Sequence, residues 1–134
     1  MLKKCCVETN SDLGVLLVRF SLALVFIIHG LAKFQTMSET AAFFGILGLA
    51  PSMAYFVAVV ELFGGILLLL GMFTPWTALV LGINMFFAIL LVKLQKPFIG
   101  GYEYELTLML MSFALSLLGT GKYTVCPCGK KRKS

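Results

Sequence analysis

Charge is what this chain has least of. Asp, Glu, Lys and Arg make up 13% of its 134 residues, against 60% apolar side chains. A polar coat this thin cannot cover a soluble domain, and the mean hydropathy of +0.99 lies far above that of an average soluble protein. Histidine occurs once, as His29. That single imidazole gives no support to a haem site, although thiolate and methionine remain as ligand types. The chain also lacks a P-loop, a dinucleotide glycine fingerprint, H-E-x-x-H and G-x-S-x-G. No recognisable motif therefore binds a cofactor or sets up a hydrolytic nucleophile. Internal repeats are missing too, and the terminal KKRK is the only low-complexity segment.

What the chain has instead is long apolar runs. Four spans are expected, at about 13–34, 52–72, 74–94 and 102–120. Each reaches the roughly 20 residues that cross a bilayer, the last only with its polar flanks. The expected fold is all-α, an integral membrane four-helix bundle over residues 13–122. The 1–12 and 123–134 tails carry Lys3, Lys4, Lys130, Lys131, Arg132 and Lys133. This basic bias predicts both termini in the cytoplasm, in a multi-pass plasma (inner) membrane protein. The basic tail reads as topogenic and lipid-facing, with no nucleic-acid partner.

Local punctuation agrees with these runs. Ser11 and Asp12 are N-cap candidates for the first helix. Gly71 is a C-terminal stop for the second, and Thr74-Pro75 an N-cap and first residue for the third. The second and third spans should form a tight antiparallel hairpin. The apolar stretch Gln35–Ala50, broken by Gly45 and Gly48, reads as an outer interfacial segment with a short helix from Ser38 to Phe44.

Against this background Glu61 stands out as the only charge between Pro51 and Met72. A carboxyl group in hydrocarbon is costly unless paired, protonated or hydrated. Helical rise puts it about 16 Å from the inner end of its span and Asn84 about 15 Å from the inner end of the next, so the two face each other in depth. Ala54, Ala58, Glu61 and Gly65 share one small-residue face that should look into the bundle. Phe56, Phe63, Leu67 and Leu70 form the lipid face. In the first span Arg19 lies about 9 Å from the inner end and His29 about 24 Å from it. Arg19 is expected to reach up and pair with Glu61. His29 and Lys33 share a face near the outer boundary, and imidazole suits proton transfer near neutral pH. Gly100 and Gly101 permit a turn, with Glu103 and Glu105 in the first turn of the last helix. Lys33 is expected to pair with either acid. Together these residues outline an outward-facing pocket lined by His29, Lys33, Tyr102 and Glu103, with Glu61 as its floor. A structural helix-packing hydrogen bond is the competing account of Glu61.

The cysteines are confined to the tails, as Cys5-Cys6 and Cys126-Pro127-Cys128. In a reducing cytosol they would not form stable structural disulfides. The spacing departs from a C-x₂-C knuckle, so no metal site is assigned; a Cys₄ zinc site made of Cys5, Cys6, Cys126 and Cys128 is the weak alternative, beside thiol exchange or acylation.

Several of these residues resemble the DoxX family of small four-helix membrane proteins. The matching elements are Arg19, His29-Gly30-Leu31-Ala32-Lys33, Glu61-Leu62-Phe63-Gly64-Gly65 followed by Gly71, and Gly101-Tyr102-Glu103. The resemblance covers about Leu13 to Tyr123 and leaves out the cysteine-bearing tails. It implies an inner-membrane four-helix protein working with redox systems, similar to a subunit of thiosulfate:quinone oxidoreductase or to proteins of thiol stress and quinone metabolism. Fold does not transfer chemistry. The leading expectation is a membrane subunit of a redox complex, an oxidoreductase subunit at most. Glu61 and His29 would move protons, Arg19, Lys33, Asn84, Tyr102 and Glu103 would hold a quinone or small sulfur/thiol substrate, and a soluble or membrane redox partner would carry the electrons. The alternatives are a non-catalytic anchor or assembly factor for a soluble enzyme, and a transporter that oligomerises through Ala78-x-x-x-Gly82 and Ser112-x-x-x-Ser116.

Overall fold

The computed structural model describes residues 10–125, which contain five α-helices and no strand. They are α1 (Ser11–Gln35), α2 (Met37–Ile46), α3 (Ser52–Leu70), α4 (Thr74–Ala88) and α5 (Glu103–Leu118). A π-helical turn, Ile89–Lys93, extends α4. Three helices are long and apolar enough to cross a membrane: Ser11–Gln35, Ser52–Leu70 and Thr74–Lys93. At 16 residues α5 is shorter. It nevertheless supplies Leu108 and Leu115 to the same core as Leu22 and Phe26 of α1, Leu68 of α3 and Leu81 of α4. The additional helix α2 lies in the 35–50 segment and packs chiefly on α3, with no fully buried residue of its own.

Helix ends follow local chemistry, with two shifts. Asn10, not Ser11 or Asp12, caps α1, its side chain accepting from the Leu13 amide at 3.1 Å. Asp12 is thereby free to accept from the Lys122 amide at 3.2 Å. Gly71 ends α3 in the left-handed region, φ 72°, where glycine carries no Cβ penalty. Phe73 rather than Thr74 is the cap of α4, so Pro75 takes the second helical position.

Small residues set the packing. A Cβ on Gly30 would stand 2.7 Å from the Leu62 backbone nitrogen, and one on Gly65 2.9 Å from that of Ile27. Both contacts are closer than a real Cβ allows, so α1 and α3 approach backbone to backbone. Ala54, Ala58, Glu61 and Gly65 are all buried on this face, while Phe56 and Phe63 point outward. In α4 and α5 the small-residue stripes are consumed inside the chain. Ala78, Gly82 and Ser112 are buried, Phe113 fills the space beside Gly82, and the Ser116 hydroxyl donates to the Pro75 carbonyl at 2.8 Å. Those two stripes thus hold α4 to α5 and do not present a face for oligomerisation.

Candidate functional site

The close crossing of α1 and α3 at Gly30 and Gly65 brings the Lys33 stem alongside Glu61. The Lys33 ammonium forms an ion pair and hydrogen bond with Glu61 Oε2. The other oxygen, Oε1, accepts from Asn84 Nδ2 at 3.1 Å. Glu61 is 2% exposed, so this carboxylate is compensated in charge and bonded through both oxygens. The Asn84 contact occurs at the matched depth of the α3–α4 hairpin. The Lys33 contact differs from the expected pairing with Glu103 or Glu105, because the glycine crossing shortens the lateral distance that depth counting cannot see.

Arg19 does not reach Glu61. It is 3% exposed and donates to the Thr120 carbonyl at 2.6 Å and to the Tyr123 carbonyl. Around it, the Thr124 hydroxyl donates to the Gly71 carbonyl at 2.9 Å, and the Val125 amide to that of Leu70 at 3.0 Å. A Cβ on Gly71 would meet the Arg19 guanidinium at 2.8 Å. Residues 119–125 are therefore strapped across the amino-terminal part of α1 and the carboxyl end of α3. Cationic donors saturate carbonyls that no helix can serve, which explains why a buried arginine is kept here without an acid.

Above Glu61 opens a pocket of about 890 Å³, within the range of small-molecule sites. Its polar members are Lys33, Glu61, Asn84, His29, Tyr104 and Glu105, with Thr36, Glu39 and Thr40 toward α2. The remaining wall is apolar, from Phe26, Val60, Met85, Leu108 and neighbouring side chains. His29 Nε2 lies 3.3 Å from the Tyr104 hydroxyl, with the two rings tilted at 5.9 Å. Tyr102 and Glu103 lie outside the wall. Tyr102 packs edge-on against Phe98, and Glu103 folds back to accept from the Gly100 amide of the preceding turn at 2.8 Å. Glu105 pairs with Lys93 at 3.0 Å. The sequence reading therefore missed Tyr104 and Glu105. The signal was present: Leu115, Ser112, Leu108 and Tyr104 recur at helical spacing, and the first three are buried. Cys5, Cys6, Cys126 and Cys128 lie outside the described residues.

The DoxX family profile matches residues 14–94, which takes in the Lys33–Glu61–Asn84 cluster entire. The chain belongs to the DoxX family. Within that family it is similar to a Bacillus subtilis (strain 168) protein named "Putative oxidoreductase CatD", 40% identical over 109 residues that cover 81% of each chain. No solved structure matches it. A DoxX protein with three membrane-length apolar helices is a membrane protein, and its charged cluster is then a low-dielectric site.

Proposed function

We propose that this DoxX-family protein is the membrane subunit of a redox complex and holds a quinone-like or small sulfur-containing substrate in the pocket above Glu61. Four spans, with α5 as the fourth, and cytoplasmic termini in the plasma membrane put this pocket in the outer half of the bilayer. The carrying observation is a buried, charge-compensated carboxylate at the floor of a mostly apolar cavity, beside a titratable His29–Tyr104 pair. The oxidoreductase name of its Bacillus relative supports the redox class.

In this reading Lys33 and Asn84 fix Glu61 and offer donors to a substrate oxygen or sulfur. Converting a quinone to a quinol takes two electrons and two protons. The electrons come from a partner redox protein and the protons pass through His29 and the Glu61–Lys33 pair, whose exchange sites face the cavity. Glu61→Gln and His29→Ala should each lower quinone-linked turnover of the assembled complex by about 100-fold, as for loss of an acid–base group. Unchanged turnover in both variants overturns the catalytic reading.

One observation favours a second reading. Both oxygens of Glu61 are already bonded within the protein, as in a structural network, so the chain would serve as a membrane anchor or assembly factor for a soluble enzyme. Truncation after Val125 keeps the strap in place. Loss of partner recovery with ligand binding intact would then favour the anchor.

A further inference from the structure

The pocket has two mouths of different character. One faces the outer surface beneath α2, where Thr36 and Glu39 are exposed. The other is the seam between α3 and α4. Along α4 the pocket wall includes Val80, Ile83, Phe87 and Leu91, spaced as one helical face, and all four are also exposed on the protein's exterior. Facing them on α3 are Met53 and Phe56, likewise exposed wall residues, Phe56 at 63%. Deeper in the seam Val57 and Val60 are half-buried, and the Asn84–Glu61 hydrogen bond spans its floor. Farther inward the seam shuts, because Leu81 presses on Gly64 so closely that a Cβ there would lie 3.0 Å away. Exposure thus falls from the exposed rim residues Met53 and Phe56 through half-buried Val57 and Val60 to Glu61 at 2%, and all five line the same pocket.

A slot graded in this way matches a ligand graded in the same way. Through the seam, a compact hydrogen-bonding head reaches Lys33, Glu61 and Asn84 only if the remainder of the molecule is apolar and fits between Phe56 and Phe87, both of which sit where hydrocarbon must be. We propose that the α3–α4 seam is a lateral entrance from the bilayer, and that the ligand is a membrane-dissolved molecule with a polar head and a prenyl or alkyl tail seated in the seam. This rests on the pocket being a substrate site, and it narrows the substrate from either class to the lipophilic one.

The test uses the full chain in lipid nanodiscs. Binding of decylubiquinone and of tail-less ubiquinone-0 is measured, each normalised to its concentration in the membrane. Ile83→Trp and Val80→Trp fill the seam rim without touching Lys33, Glu61 or Asn84. Phe86→Trp, outside the pocket wall on α4, controls for added bulk. The seam variants should weaken decylubiquinone at least tenfold and leave ubiquinone-0 within twofold, with Phe86→Trp matching the parent. If decylubiquinone binds the seam variants normally, or both compounds weaken alike, the lateral entrance is overturned while the pocket reading stands. If neither compound binds the parent protein, the quinone reading falls and the lateral entrance with it.

Discussion

The strap end and the pocket end of the molecule each hold a basic side chain in a polar cluster, and they use it in opposite ways. At the strap end Arg19 is spent on backbone carbonyls, enclosed by Gly71, Thr120, Tyr123 and Thr124, and takes no part in the pocket above Glu61. At the pocket end Lys33 is a quarter exposed, pairs with an acid, and borders about 890 Å³ of open space. Guanidinium offers five donors in a fixed fork, which suits several carbonyls at once; ammonium is a compact charge on a flexible stem, which suits a single carboxylate at the floor of a cavity. The groups each cation faces, and not its depth in the protein, set the two apart.

That contrast can be broken most forcefully at Lys33. Lys33→Met leaves Glu61 buried without its counter-ion, and removing one partner of a buried pair costs about 3–5 kcal/mol. Unfolding in mixed detergent micelles should show a loss of this size. The double variant Lys33→Met/Glu61→Gln should recover most of it, since no lone charge remains. If the double variant is no more stable than Lys33→Met, charge compensation is not what holds the pocket end together.

Arg19→Met follows, in an overlapping range: it strands two carbonyls but creates no lone charge, at about 1–3 kcal/mol for each acceptor left unsatisfied. The more telling readout is local. Residues 119–125 should become cleavable by protease while decylubiquinone binding, as measured in the proposed test of the pocket above Glu61, stays at the parent level. A fall in ligand binding of the folded variant would show that the two ends are not separate devices.

The smallest change concerns the crossing that builds the site. Gly30→Ala puts a methyl group against the Leu62 backbone, an overpacking worth about 1–3 kcal/mol. It should also push Lys33 away from Glu61, so ligand affinity falls beyond what stability explains. Full affinity in Gly30→Ala would separate the helix crossing from the ion pair.

Much of this was legible in the chain. The Ala54, Ala58, Glu61, Gly65 face follows from periodicity, and the Asn84 contact from equal depths in a hairpin whose turn is fixed by Gly71. Depth, however, orders residues along one axis only. It set Arg19 below Glu61 and Lys33 above it, but could not say that Gly30 and Gly65 draw α1 onto α3, which favours Lys33. Nor could it find the partners of Arg19, because residues 119–125 have no periodicity and dock through backbone carbonyls that every residue possesses. The misplacement of Tyr102 and Glu103 has a similar cause: α5 begins at Glu103, and one residue of offset at a helix start decides which side chains turn inward.

The Arg19 clasp also carries a schedule. Arg19 lies 101 and 104 residues before the carbonyls that hold it, whereas Lys33 and Glu61 are only 28 apart. Chains emerge from the ribosome amino-end first, so the Lys33–Glu61 ion pair can close once α3 has been made. Arg19 must wait, in a helix already committed to the membrane, until α5 and the strap have been synthesised. Residues made after α5 are the ones that lock the first helix in place.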